Sequence, residues 1–133
     1  MIIKGHGIDI IDLGRVATLI SRGDDFVAGW FTAQEIDELG ERKHRAETIG
    51  GRIAAKEAVV KALGTGFSGD VSWQDVEVKT LESGAPTIVL SGGALHAAQS
   101  QGITDILISI SHTATMAMAS AIAVGDFKPS PNM

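Results

Sequence analysis

Cysteine is absent from the 133 residues, which removes disulfides, thiolate metal sites and thiol nucleophiles from consideration. No apolar run approaches the ~18–20 residues that a membrane span needs. The apolar start is broken by Lys4, His6 and Asp9, unlike a signal peptide, so a cytoplasmic location is expected. Net charge is −5, which argues against non-specific nucleic-acid binding. With four Phe and two Trp, aromatic packing contributes little to the core. Two nucleotide fingerprints are also missing. The GHGI stretch at 5–8 lacks the third glycine of a dinucleotide turn, and the glycine-rich stretch 64–70 has neither the Gly-Lys-Ser/Thr ending nor the preceding strand of a P-loop. There is no internal repeat and no second domain. The length suits one compact domain, residues 1–125, followed by a tail, 126–133, whose Pro129 and Pro131 lead us to expect disorder.

What is present is organised around Gly50 to Gly66. Ala54, Ala55, Ala58 and Ala62 favour a helix, Leu63 closes its apolar pattern, and Gly64 is a natural stop. The helix is expected to begin near Ala46. Gly50, Ala54, Glu57 and Lys61 share one face at i, i+4, i+7 and i+11. The small residues there leave room for something to lie against the helix. Glu57 and Lys61 also fit a simple surface pair contributing roughly 0.2–0.5 kcal/mol.

Met1 to Ile11 alternates as a strand. Gly5 and Gly7 weaken it, as is tolerated where a backbone or ligand approaches closely. Asp9 sits among isoleucines, where a carboxylate is costly unless paired or bound to a cation; a water-facing strand end is the plainer account. Asp12 is the expected N-cap of a helix from Leu13 to Arg22. Arg15, Leu19 and Arg22 share a face of that helix, which suits docking of an acidic amphipathic helix and equally suits plain surface. Residues 23–25 read as a turn, and Phe26, Val27, Trp30 and Phe31 as an apolar anchor. Thr32 to Glu35 is a capping box opening a helix from Ala33 to Leu39, with Gly40 as its stop. Residues 42–45 form a basic loop. Arg15, Arg22, Arg42, Lys43, Arg45, Arg52, Lys56 and Lys61 concentrate positive charge before residue 62, a local basic patch on an acidic protein. Trp73 to Glu82 and Thr87 to Leu90 read as a hairpin, Ala94 to Gln101 as a helix, and Thr104 to Ser111 and Thr115 to Val124 as strands, with a turn at 112–114. The last strand, of Ala, Ser and Met, suits close packing against another subunit. Together these make an α+β domain with antiparallel strands packed on one long helix.

Three segments in order, GIDI at 7–10, GRIAAKEAVVKALGTG at 51–66 and ISISHT at 108–113, carry a resemblance, with FTAQE at 31–35 and GAP at 84–86 between them. The chain resembles holo-acyl-carrier-protein synthase, the short bacterial type of 4′-phosphopantetheinyl transferase, from Ile2 to Val124. The resemblance implies transfer of the phosphopantetheine arm of coenzyme A to a serine of an apo acyl carrier protein, leaving adenosine 3′,5′-bisphosphate. It implies Mg²⁺ held by Asp9 and Glu57, with Lys61 reaching a coenzyme phosphate. Lys43 and Arg52 match family positions that contact coenzyme phosphates. Arg52 lies about 140° from Glu57 on the helical wheel, which fits a site shared with a neighbouring subunit. Gly64, Thr65 and Gly66 and the Ser111-His112 turn are expected to border the nucleotide. His112 is open between phosphate contact and a structural hydrogen bond. Whether Glu57 or water takes the serine proton stays open too.

Arg15 and Arg22 match the family's surface for the acidic helix of the carrier. Gly29-Trp30 stands where the family usually has a basic residue, so one carrier contact differs. The short type is homotrimeric with sites at subunit interfaces. A non-catalytic coenzyme A or nucleotide-binding module is the rival reading. It would keep Lys43, Arg52 and the glycine loop but has no need for Asp9 together with Glu57.

Overall fold

The computed structural model describes residues 1–127; residues 128–133, on which the expected tail disorder falls, and the side chains of Asp24 and Phe26 lie outside the described residues. Strand β1 spans Ile2–Asp12, helix α1 Leu13–Ser21, α2 Asp24–Ala28, α3 Ala33–Leu39 and α4 Ala46–Leu63. Then come β2 (Val76–Thr80), β3 (Pro86–Leu90), α5 (Gly92–Ser100), β4 (Ile103–His112) and β5 (Met116–Gly125), with 3₁₀ turns at Gly40–His44 and Trp73–Asp75. The strands form a three-stranded antiparallel sheet in the order β1-β5-β4 and a separate β2-β3 hairpin. The α+β class expected from the patterning is the class observed.

Helix α4 crosses one face of the three-stranded sheet. Rows of facing residues run Gly5–Ala123–Ile106, Gly7–Ala121–Ile108 and Asp9–Ala119–Ile110 from β1 through β5 to β4. In the first two rows side-chain volume therefore grows across the sheet, from glycine to alanine to isoleucine, and the helix backbone lies directly on β1 there. A Cβ on Gly5 would stand 2.0 Å from the Ala62 carbonyl oxygen, and one on Gly7 1.9 Å from that of Ala58. Backbone contact this close is possible only without side chains. The approach foreseen at these two glycines is thus made by α4. The small face of α4 is filled in the same way. Gly50 and Ala54 are buried, with Gly50 against Leu13, Val16 and Ala117 of the same chain.

Local rules set most element ends. Asp12 Oδ1 accepts from the amides of Gly14 at 2.7 Å and Arg15 at 3.2 Å, capping α1. Thr32 and Glu35 exchange both capping-box hydrogen bonds at 3.0 Å. Gly64 ends α4 in the left-handed region at φ 77°.

Several expectations are corrected. Residues 24–28 form a helical turn, not a loop turn, and the basic loop begins in a 3₁₀ turn. The strand expected from Trp73 starts at Val76, because Ser72 and Asp75 make their own capping box and wind 73–75 into 3₁₀. The last strand is central in its sheet. Its Ala117, Ala119, Ala121 and Ala123 are buried under α4, so close packing by these residues is internal. The other face carries Ile8, Ile10 and Leu107, each at least half exposed.

Gly7→Ala is expected to destabilise the fold by at least about 1–3 kcal/mol in urea unfolding, since backbone must move to admit the methyl group. Gly29→Ala, with open space around it, should stay within about 0.5 kcal/mol of wild type. Equal stability of both variants would contradict the packing described.

Candidate active site

Close seating of α4 on β1 brings three charged groups together. Asp9 projects from β1 on the helix-facing side, and Glu57 and Lys61 lie one turn apart on α4. Lys61 Nζ donates to Asp9 Oδ1 at 3.1 Å and to the Ile8 carbonyl at 3.0 Å. The Lys61 side chain is 51% exposed and that of Asp9 18%, so the pair opens to solvent on one side. Burial, then the nearby Asp9 charge, raises the Glu57 pKa above the ordinary carboxylate range, while Lys61 pulls the other way. Asp9 and Glu57 are the residues here that could hold a hard cation through oxygen. Two protein carboxylates with the remaining positions left to water and phosphate is the arrangement Mg²⁺ favours. Among the described residues no group of three His, Cys, Asp or Glu converges as a self-sufficient metal cage.

A second cluster lies towards β4, at the opposite edge of the sheet. Arg52 Nη2 donates to Thr80 Oγ1 at 3.0 Å. Arg52 lines a cleft with Arg42, Glu47, Thr80, Ile110 and His112. Burial and then the Arg42 charge push the Arg52 pKa down, while Glu38 and Glu35 pull it up. Two neighbouring guanidiniums in a partly closed cleft make an anion-binding surface. None of Asp9, Glu57 or Lys61 lines it. Because β5 separates the edges, roughly 10 Å of sheet lies between the strands that carry the two clusters.

A carboxylate–lysine cluster, a separate guanidinium cleft and the strand–helix seating that holds them apart are features to set beside known proteins. The model of the 4′-phosphopantetheinyl transferase superfamily matches residues 5–117. The chain belongs to this superfamily. Holo-acyl-carrier-protein synthase of Alkaliphilus metalliredigens is 46% identical over 121 residues, covering 91% of this chain and 98% of that protein. The solved Plasmodium yoelii acyl carrier protein synthase with ADP bound is 32% identical with TM-score 0.84, over 95% of this chain and 98% of that one. The Helicobacter pylori holo-acyl-carrier-protein synthase in complex with coenzyme A is 29% identical with TM-score 0.78, over 90% and 99%.

Against this transferase fold, the residues singled out in the sequence separate into groups. Asp9, Glu57 and Lys61 meet. Arg52 and His112 share the second cleft, with His112 Nδ1 3.3 Å from the Thr113 carbonyl. Ser111 lies with Ile10, Met116 and Met118 on the outer sheet face, in a groove that His112 also borders, and Ser111 and His112 end β4 while the turn follows them. Lys43 lines another, largely apolar cleft with Ile20, Val27, Ile36 and Leu39. Arg15 is exposed on α1, whose Leu13 and Val16 face the core, and Arg22 is exposed at its C-cap, the helix ending at Ser21 and not at Arg22 as expected.

The amides of Gly64, Thr65 and Gly66 donate to the carbonyls of Lys61 and Val60 at 3.1–3.2 Å, closing α4. The Thr65 hydroxyl, by contrast, is buried without a hydrogen-bond partner. Sequence reasoning missed the part Arg42 plays in the Arg52 cleft. It also counted Lys56 in the basic patch, whereas Lys56 is fully buried on Glu35. The signal lies in its neighbours: Lys56 shares its turns of the helix with the apolar Ile53, Ala55, Val59 and Val60, and Glu35 is the capping-box acid.

The pH dependence has a definite sign. A raised folded pKa means Glu57 favours the fold most below the ordinary carboxylate range, and that contribution is lost as pH rises through its raised value. Glu57→Gln is therefore expected to melt higher than wild type near neutral pH at low salt without divalent cations. The gain should vanish in acid. An equal gain at both pH values would contradict repulsion between Asp9 and Glu57.

Proposed function

We infer that this chain transfers the 4′-phosphopantetheine group of coenzyme A to a serine of apo acyl carrier protein. The observation that carries this reading is the meeting of Asp9, Glu57 and Lys61 within a chain of this superfamily. The serine oxygen forms a bond to the phosphorus that bears the pantetheine arm. The bridging bond of the diphosphate breaks, adenosine 3′,5′-bisphosphate leaves, and the hydroxyl proton is released. The reaction concentrates negative charge, so neutralising the diphosphate and the leaving group is the main demand on the protein.

In this reading Asp9 and Glu57 hold Mg²⁺, which supplies charge neutralisation to the diphosphate when bound. Lys61, half exposed beside Asp9, offers its ammonium to a phosphate oxygen. Arg52, with Arg42 and His112, takes an anionic group of the nucleotide end, and Lys43 on the adjoining 3₁₀ turn adds positive charge at its approach. The Thr65 hydroxyl and the neighbouring glycines border the coenzyme. Arg15 and Arg22 receive the acidic helix of the carrier. Coenzyme A in the Helicobacter pylori relative supports the choice of donor.

The reading extends to a homotrimer acting in the cytoplasm, in fatty-acid biosynthesis. Ile8 at 50%, Ile10 at 59% and Leu107 at 57% exposure form an apolar stripe on the outer sheet face, a surface suited to subunit contact. With the carboxylate cluster and the arginine cleft at opposite sheet edges, neighbouring copies would complete each other's sites.

Intact-mass analysis of apo carrier incubated with this protein, coenzyme A and Mg²⁺ is expected to record one added phosphopantetheine, and none with EDTA. Coenzyme A binding without any mass gain on several carriers would support the non-catalytic binding module instead. Arg15→Glu should raise KM for the carrier roughly tenfold and leave KM for coenzyme A little changed. Equal rises in both would remove Arg15 from the docking surface.

A further inference from the structure

Lys56 and Glu35 carry opposite charges into the interior, and neither belongs to the carboxylate cluster or the arginine cleft. Their side chains are 0% and 1% exposed, with Lys56 Nζ 2.8 Å from Glu35 Oε1. The same ammonium donates to the Trp73 carbonyl at 3.0 Å and to the Val76 carbonyl, so all three of its protons are used. Glu35 also accepts from the amides of Thr32 and Val78, each at 3.0 Å. Burial, the largest influence, pushes the Lys56 pKa down, while the Glu35 charge opposes it. A buried pair of this kind commonly adds little net stability over well-packed apolar side chains. Its distinctive effect here is to hold the short segment 73–76 in place.

Trp73, so held, is the centre of an aromatic stack. Its ring lies 3.9 Å from that of Phe67 at 15° between planes, and 5.7 Å from that of Trp30. Phe67 belongs to the loop after α4. Gly64, Gly66 and Gly69 in that loop have positive φ and open space where a side chain would be, so they supply little packing of their own. The amides of residues 64–66 tie the start of the loop to the end of α4, and beyond them the stack of Phe67 on Trp73 is a second anchor; between the two lies Thr65, whose buried hydroxyl has no partner. Lys56 and Glu57 are consecutive on α4 and about 100° apart around it, one turned to this stack and the other to Asp9.

We propose that Lys56 is a positioning residue for the coenzyme end of the site: by gripping the Trp73 carbonyl it sets the ring on which Phe67 stacks, and thereby fixes the 67–70 part of the loop against Thr65, which α4 itself holds. The inference rests on the reading that this loop borders the coenzyme.

The test uses the full chain with two variants. Lys56→Met combined with Glu35→Gln removes both charges while keeping volume, which avoids leaving a lone buried ion. Phe67→Leu cuts the stack without touching the pair. Both are expected to raise KM for coenzyme A about tenfold with KM for the carrier within about twofold. Both should also shift tryptophan emission, which reports only Trp30 and Trp73. A lower melting temperature with unchanged KM for coenzyme A would make the pair merely structural and overturn the proposal. Wild-type emission in the double variant would overturn the link to Trp73 even if no transfer is detected. Absence of transfer by the wild-type chain, with the emission shifts as expected, would instead count against the parent reading of function.

Discussion

The site depends on one contact: the backbone of α4 lying on the glycines of β1. Gly5 and Gly7 have no side chain to hold the helix off, and Ala58 and Ala62 present carbonyls where a Cβ would have to be. Across the sheet the facing side chains grow to alanine and then isoleucine. The helix is therefore seated low at one edge and high at the other. At the low edge Asp9 comes within hydrogen-bonding reach of Lys61 and within electrostatic reach of Glu57. At the high edge the same helix turns Arg52 towards Thr80 and the end of β4. One packing gradient thus gathers the carboxylates and separates them from the guanidiniums.

The electrostatics follow from this seating. Two carboxylates forced together in partial burial are unfavourable without a cation, and Lys61 supplies only part of the compensation. Sites that bind phosphates and metal commonly store unfavourable charge of this kind. The opposite imbalance stands at the arginine cleft, where burial and then the Arg42 charge disfavour the protonated Arg52 guanidinium, with Glu38 and Glu35 opposing them. A ligand carrying phosphates along its length, with a divalent cation at one end, relieves both. The Helicobacter pylori synthase is solved in complex with coenzyme A, which carries phosphates along its length.

Much of this was legible in the residues. The bounds of α4 and α3, the Asp12 cap and the Thr32–Glu35 box rest on local chemistry, and local chemistry reads well from sequence. The glycines of β1 signalled close approach, but not by what. Only the tertiary structure identifies the neighbour as the carbonyls of α4. Similarly, an alanine-rich strand looks the same whether its small residues meet another subunit or an internal helix. Lys56 looked like surface charge, because a lysine's burial is decided by a partner 21 residues away in the chain, Glu35. The amides of residues 64–66 are taken up by the last carbonyls of α4. Non-local satisfaction of polar groups is what the linear pattern does not display.

The central claim is that the fold divides the coenzyme site between two edges of one sheet and that neighbouring copies reunite the halves. Its most direct test is subunit complementation. Chains carrying Glu57→Ala and chains carrying Arg52→Ala would each be purified, confirmed to fold and to transfer little phosphopantetheine alone, then dissociated and reassembled in equal amounts. If each site pairs the carboxylate edge of one copy with the arginine edge of the next, random mixing restores about one quarter of wild-type transfer. Assembly of mixed oligomers with no recovery would mean that each chain builds its site alone, and would contradict the account.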